Sequence, residues 1–301
     1  DDPAPPGEGE VAVALEARGL SFADVLAVAG GYQVRRPLPF AVGAEAAGRI
    51  TAIGPGVTGF EVGDPVWTDG GCVERVVTRV ERLTLLPAGV DFGVAAAFRG
   101  NYATALYALQ RGRLRAGETL LVHGAAGGVG LAAVDVGKLM GARVIATAGT
   151  DEKLQVVGEM GADHLVNYSN GFRERVKALT DGRGADVIYD PVGGDVFDES
   201  MRCIAPFGRL LIIGFTSGRP ALAKTNHLLI KDAEAIGLRI DHMLEHEPAW
   251  AARNDRALLG WLASGRIRPY VSHRVPLSRT PEALRLIAGR KAIGKVVVVN
   301  D

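Results

Sequence analysis

The chain has 301 residues, a length that suits about two domains, and its 34 basic and 34 acidic side chains give a formal net charge of zero. That balance implies no broad attraction to nucleic acid or to anionic membrane, and no apolar run reaches the length of a bilayer span. The two cysteines, Cys72 and Cys203, are far apart and match no metal spacing, no secretory signal pattern opens the chain, and a reduced cytoplasmic compartment is the expectation.

Residues 1–9, rich in Pro, Gly and acid, read as a flexible lead-in. Residues 10–17 alternate at period two, as a half-buried strand does. Ser21 is placed to cap a short helix ending near Ala29, and a Pro-rich loop follows at 37–42. Strands are predicted at 43–53, 65–67, 70–77 and 83–87, with glycine turns between them. Short strands so spaced predict a small β-barrel. From Asp91 the pattern turns helical, at 94–97 and 102–110. Strands at 119–122, 143–147, 164–166, 186–189, 209–213 and 235–240 then alternate with helical patterns. That alternation predicts a doubly wound parallel sheet with its ligand crevice at the carboxyl ends of the strands. A helix at 250–264 follows, and strands at 270–275 and 295–299 flank a helix at 281–288. These last strands are expected to rejoin the first domain.

The stretch His123-Gly-Ala-Ala-Gly-Gly-Val-Gly130 lies between the first of the alternating strands and a helix. Within it, Ala125-x-Gly127-x-x-Gly130 is a variant of the dinucleotide fingerprint. Small residues there allow a tight turn, close approach of backbone to a pyrophosphate, and close packing of helix on strand. The helix start then offers free N–H groups to phosphate. A glycine-rich loop that binds nothing is the alternative, and the strand–turn–helix–strand context favours the nucleotide.

NAD-binding chains usually end the second strand of this unit with an acid for the ribose hydroxyl. Here the strand ends Ala146-Thr-Ala-Gly149-Thr150, without one. Asp151 reads as the N-cap of a helix at 152–160. Lys153 stands in that helix's first turn, unfavourable for a cation unless it meets an anion. The strand exits Pro191-Val-Gly-Gly194 and Gly214-Phe-Thr-Ser217 are expected to meet a nicotinamide, since glycines let backbone approach the ring; ordinary strand-exit turns would look the same.

Phe22-Ala-Asp-Val-Leu26, Gly43-Ala-Glu-Ala-Ala-Gly48, Gly59-Phe-Glu-Val-Gly-Asp64, the glycine-rich turn, Gly161-Ala-Asp163, Tyr189-Asp-Pro-Val-Gly-Gly194 and Gly294-Lys-Val-Val297 together resemble the medium-chain dehydrogenase/reductase superfamily. Within it the chain is similar to the zinc-independent quinone oxidoreductase, or zeta-crystallin-like, branch. The resemblance implies an α/β fold: a GroES-like β-barrel catalytic domain over 1–101 and 241–301, and a Rossmann doubly wound parallel-sheet cofactor domain over 102–240. It implies NADPH as cofactor, a small quinone or α,β-unsaturated carbonyl as substrate, and a homodimer. Family members begin with further residues that include strands, so it also implies that this chain starts inside the catalytic domain.

Carried over position by position, the resemblance implies cofactor contacts at Ala125, Ala126, Gly127, Gly128, Val129, Gly149, Thr150, Lys153, Tyr168, Val192, Gly214, Phe215 and Thr216. Lys153 and Tyr168 match a pair that meets the 2′-phosphate. Thr104 matches a residue near the nicotinamide, with Asn101 a weaker candidate, and Tyr32 matches an aromatic of the substrate cleft. Ser21 stands where relatives often carry Asn, so Ser21, Tyr32 and Thr104 are the catalytic candidates. Zinc-dependent relatives carry Gly-His-Glu where this chain has Gly43-Ala44-Glu45, and two cysteines cannot build their four-Cys lobe, so no metal is expected. His242 and His246 have helical spacing, but Glu245 is not placed as in a zincin, and a solvated helix is the reading.

Two other functions compete. Related polyketide synthase domains reduce enoyl thioesters, usually with a Tyr where this chain has Phe22. Some relatives serve as crystallins or bind RNA; the zero net charge makes nucleic acid an unfavoured partner.

Overall fold

The computed structural model describes residues 4–301 except Gln33 and Arg36; the first three residues of the expected lead-in lie outside the described residues. The chain divides into two compact units, one of Asp1–Gly100 with Pro269–Asp301 and one of Asn101–Arg268.

The first unit opens with β1 (Glu10–Leu20), α1 (Phe22–Val28), β2 (Glu45–Ile53), β3 (Pro65–Thr68), β4 (Arg75–Arg79), β5 (Thr84–Leu85) and α2 (Phe92–Ala96). α3 (Arg99–Arg111) starts at the boundary. The second unit follows with β6 (Thr119–Val122), α4 (Gly128–Leu139), β7 (Arg143–Ala148), α5 (Asp151–Glu159), β8 (His164–Asn167), α6 (Arg173–Leu179), β9 (Ala185–Asp190), α7 (Asp195–Ser200), β10 (Ile204–Ile212), α8 (Thr225–Lys231), β11 (Glu234–Gly237), α9 (Ile240–His246) and α10 (Pro248–Ala263). The chain then returns to the first unit as β12 (Val271–Pro276), α11 (Thr280–Ala288) and β13 (Lys295–Val299).

In the first unit β1 organises a seven-stranded sheet, of order β12-β13-β1-β2-β3-β5 with β4 also on β1. Its alternation sends Val11, Val13 and Leu15 to a core shared with Ala46, Ile50 and Val66. One side of β1 has two antiparallel partners in succession: Glu10–Ala14 pairs with β4 and Ala17–Leu20 with β13. The two last strands, β12 and β13, thus lie in this sheet. The strand predicted at 70–77 is shorter, since Gly70 to Glu74 form a loop. Arg18 lies buried at its edge. Its Nε donates to Val73 O at 2.9 Å and a terminal nitrogen to Asn300 Oδ1 at 2.7 Å, which ties that loop to the chain end.

The second unit is the expected doubly wound sheet, parallel throughout in the order β11-β10-β9-β6-β7-β8. Leu121, Ile145, Ile188 and Leu210 bury one face against Val176 and Phe197 of the covering helices. Two strand expectations need correction. The strand predicted at 209–213 begins at Ile204, and its register with β9 breaks between Ile204 and Arg209, around Phe207 with φ 61°. The strand predicted at 235–240 ends at Gly237, because Ile240, Met243 and Leu244 take up helical spacing in α9 and Met243 is buried.

The domain limits also shift. Residues 241–268, expected in the catalytic domain, pack with the nucleotide domain. Trp250 Nε1 donates to Gln110 Oε1 at 2.7 Å, and Gln110 Nε2 donates to Asn254 Oδ1 at 3.0 Å, so α10 is held on α3 by half-buried polar bonds.

Candidate cofactor and active site

The glycine-rich turn leaves β6 and returns to the sheet at once: the Ala125 N–H donates to Thr147 O at 2.9 Å. Gly127 caps α4 in extended conformation and Gly128 is its first residue. A Cβ on Gly130 would collide with the Gly124 carbonyl oxygen, so only glycine lets the helix pack this close to the strand exit. At Gly127 a Cβ would meet only the Gly124 oxygen, at 3.3 Å, so protein packing does not demand that glycine. Its smallness suits a ligand that approaches the backbone.

His123 supports the turn from below. It is fully buried, with Nδ1 2.9 Å from Thr147 Oγ1 and Nε2 2.8 Å from Ser200 Oγ. The Ser200 hydroxyl already donates to Val196 O at 2.6 Å, so it accepts from Nε2–H and Nδ1 accepts from Thr147. The ring is neutral, and burial pushes its pKa down to about 3. Sequence reading gave this histidine no role; nothing in its spacing announces two hydroxyl partners far along the chain.

At the end of β7 the capping assignment changes. Thr150, not Asp151, is the N-cap of α5: its Oγ1 accepts the Lys153 N–H at 3.3 Å. Asp151 is the first helical residue, and its carboxylate accepts from Asn167 Nδ2 at 2.7 Å. Tyr168 follows β8, and a Cβ on Gly149 would lie 3.4 Å from its hydroxyl. Gly149, Thr150 and Tyr168 thus gather where β7 and β8 end, with Lys153 in the first turn of α5.

At the far side of the sheet, two strand exits pair with each other. The Thr216 N–H donates to Pro191 O and the Ser217 N–H to Val192 O, both at 3.0 Å. Asp190 Oδ1 accepts the N–H groups of Val192 at 2.8 Å and Gly193 at 3.0 Å. Burial pushes its carboxyl up, against the pull of those two bonds. Val192, Gly214, Phe215 and Thr216 therefore form one small cluster. Thr104 and Asn101 lie one turn apart on α3, in the same unit.

Ser21 and Tyr32 belong to the first unit. Ser21 caps α1, but its hydroxyl is a donor to Asp24 Oδ2 at 2.8 Å, and its backbone N–H donates to the same oxygen at 2.8 Å. Asp24 Oδ1 accepts the Gly43 N–H at 3.1 Å. The buried Asp24, missed from sequence as a joint, links the Phe22-Ala-Asp24 motif to Gly43-Ala-Glu45. With its one proton committed to Asp24, Ser21 is a poor donor to a substrate oxygen. Tyr32 is half-buried.

Glu45 is engaged as well. Its Oε2 accepts from Lys295 Nζ at 2.8 Å and its Oε1 from the Gly100 N–H at 2.5 Å. Among the described residues no three His, Cys, Asp or Glu side chains are gathered as a metal site. His242 and His246 share one side of α9, with ring centroids 4.1 Å apart.

Residues 7–116 match the alcohol dehydrogenase GroES-like domain, and residues 128–252 match the zinc-binding dehydrogenase family. The chain is 37% identical over 300 residues to quinone oxidoreductase-like protein 2 homolog of Nematostella vectensis, covering 97% of this chain and 82% of that one. It belongs to the quinone oxidoreductase branch of the medium-chain dehydrogenase/reductase superfamily. Two solved structures are similar over nearly the whole chain. Escherichia coli quinone oxidoreductase, complexed with NADPH, superposes with a TM-score of 0.90 at 29% identity, over 99% of this chain and 94% of that one. CurK enoyl reductase superposes with a TM-score of 0.89 at 27% identity, over 100% and 94%. No helix among the described residues is long and apolar enough to cross a membrane.

Proposed function

We propose that this oxidoreductase transfers hydride from NADPH to a quinone or to the β-carbon of an α,β-unsaturated carbonyl, without zinc. The observation that carries the cofactor choice is the acid-free end of β7, where Gly149, Thr150 and Tyr168 gather beside Lys153. Of the two acids in the first turn of α5, Asp151 and Glu152, Asp151 is bonded to Asn167. The Escherichia coli relative with NADPH supports the same reading.

NADPH, when bound, supplies the hydride. Backbone N–H groups of Gly127, Gly128 and Val129 at the start of α4 would hold its diphosphate. Lys153 and Tyr168 would hold the 2′-phosphate, Lys153 by a charge-assisted bond. Val192, Gly214, Phe215, Thr216 and Thr104 would line the nicotinamide side. Tyr32, which matches a substrate-cleft aromatic of the family, is the candidate to hydrogen-bond the acceptor oxygen; the Ser21 hydroxyl donates to Asp24. A conjugated acceptor is already electrophilic, so placement and one hydrogen bond suffice.

The residues present do not suit zinc. The Gly-His-Glu position lacks its His, and the Glu45 carboxylate is paired with Lys295. Alcohol oxidation in this superfamily relies on zinc to lower the pKa of the substrate oxygen, so simple alcohols are not expected to be substrates.

The alternative is reduction of an enoyl thioester, which the likeness to CurK enoyl reductase favours and Phe22 in place of Tyr disfavours. A homodimer completes the proposal. β11 is an open sheet edge, and Leu222, Leu229 and Ile230 just before it are 82%, 77% and 72% exposed. Sedimentation should show a dimer that Leu229→Asp dissociates; a monomeric wild type would end that part. Turnover of NADPH with quinones, enones and enoyl thioesters tests the reaction.

A further inference from the structure

β7 ends at Ala148 without an acid, yet Asp151 follows three residues later, about twenty residues past Gly130. That is the separation at which NAD-binding chains carry the carboxylate that accepts from the ribose hydroxyl. A carboxylate turned toward the ribose would favour NADH and repel a 2′-phosphate. The partner of Asp151 therefore bears on the choice of cofactor.

That partner is Asn167, the last residue of β8, which pairs with Ala148 in the register of β7 with β8. Asn167 Nδ2 donates to Asp151 Oδ1 at 2.7 Å. The carboxamide has only this orientation. Its Oδ1 accepts the Ser169 N–H at 3.1 Å and the Ser169 hydroxyl at 2.7 Å. A backbone N–H only donates, so the oxygen must face Ser169 and the NH₂ group must face the acid. Asn167 also caps the single turn Tyr168–Asn170. Its own strand exit thus sets its orientation, and it passes that orientation to the first residue of α5. β8 lies on the side of β7 opposite β6 and the glycine-rich turn, so the bond draws the carboxylate toward the end of the sheet.

We propose that Asn167 is a positioning residue for cofactor choice: it holds the Asp151 carboxylate off the adenosine ribose and so preserves the preference for NADPH. The inference rests on the NADPH reading above. Asn167 acts through the acid, not by touching the cofactor.

The test is calorimetric binding of NADPH and NADH to wild type, Asn167→Ser, Asp151→Asn and the double variant. Serine keeps an oxygen that accepts the N–H two residues on, which retains the turn at Tyr168, but it is too short to reach the acid. Asn167→Ser should weaken NADPH and tighten NADH, so that the preference for NADPH falls about tenfold. With Asp151→Asn already in place, the same change should move the preference by less than about twofold, because the charge it would release is gone. A merely structural Asn167 would weaken both cofactors alike, with or without the acid. Asn167→Ala should lower the preference as serine does, which keeps the test decisive should the serine variant fold poorly. An unchanged preference in both variants, equal losses of the two cofactors, or a shift that survives Asp151→Asn overturns the inference. A wild type with no preference for NADPH ends the cofactor reading itself.

Discussion

Glu45 is bound to Lys295. The carboxylate accepts from the ammonium at 2.8 Å with the two side chains only 12% and 5% exposed, and its other oxygen holds the Gly100 N–H. The acid of the Gly43-Ala44-Glu45 motif is therefore part of an ion pair joining β2 to β13. Removing one partner of such a pair leaves a buried charge, which costs about 3–5 kcal/mol. Lys295→Met should destabilise the protein by about that much in urea denaturation, and Lys295→Met with Glu45→Gln should recover most of it. A loss below about 1 kcal/mol would mean that the pair behaves as an exposed one. Elemental analysis should find no stoichiometric zinc, and chelator should leave turnover unchanged.

Lys153 should discriminate between cofactors. A charge-assisted bond contributes about 1.5–3 kcal/mol, so Lys153→Ala should weaken NADPH roughly tenfold or more and leave NADH nearly unchanged. Titration of both cofactors checks this, and equal losses would move the 2′-phosphate site elsewhere.

His123 predicts a pH dependence. Its folded pKa of about 3 lies below the ordinary value of 6.5, so below pH 6.5 the unfolded chain takes up a proton that the folded chain refuses. The stabilisation is complete above about pH 6.5 and falls between there and about pH 3, by at most about 1.4 kcal/mol per pH unit. His123→Gln should lower stability at pH 7 and flatten the fall on that interval. Denaturant midpoints at several pH values measure the difference from wild type; parallel curves would show that His123 does not carry the effect.

Ser21 and Tyr32 should now behave differently. Ser21→Ala removes the hydroxyl bond to Asp24 at a helix start and should cost about 0.5–2 kcal/mol of stability with turnover little changed. Tyr32→Phe should slow turnover. Steady-state rates beside melting curves separate the two, and the reverse pattern would return the acceptor bond to Ser21.

Much of this was legible in the sequence for physical reasons. Period-two alternation in β1 and the strand–turn–helix order around Gly127 depend on local spacing, and local spacing is what a sequence displays. The cap of α5 was misplaced by one residue because Thr150 and Asp151 are both good caps, and only the backbone decides between them. Ser21 was read as available because Asp24 could not be seen to take its proton. The partners of His123 and Glu45 come from elements 24 to 250 residues away, and no pattern along the chain marks them. The limit expected at 241 differs from the unit that ends at Arg268 for the same reason: the half-buried bonds from Gln110 to α10 join elements far apart in the chain.

The central claim, hydride transfer from NADPH to a conjugated acceptor without zinc, is tested most directly by one set of steady-state assays on metal-free protein. NADPH oxidation is followed with para-benzoquinone, phenanthrenequinone, a small enone and crotonyl thioester, beside NADP⁺ reduction with ethanol and benzyl alcohol. The account predicts turnover with the quinones or the enone and none with the alcohols; turnover with the alcohols and none with any conjugated acceptor would contradict it.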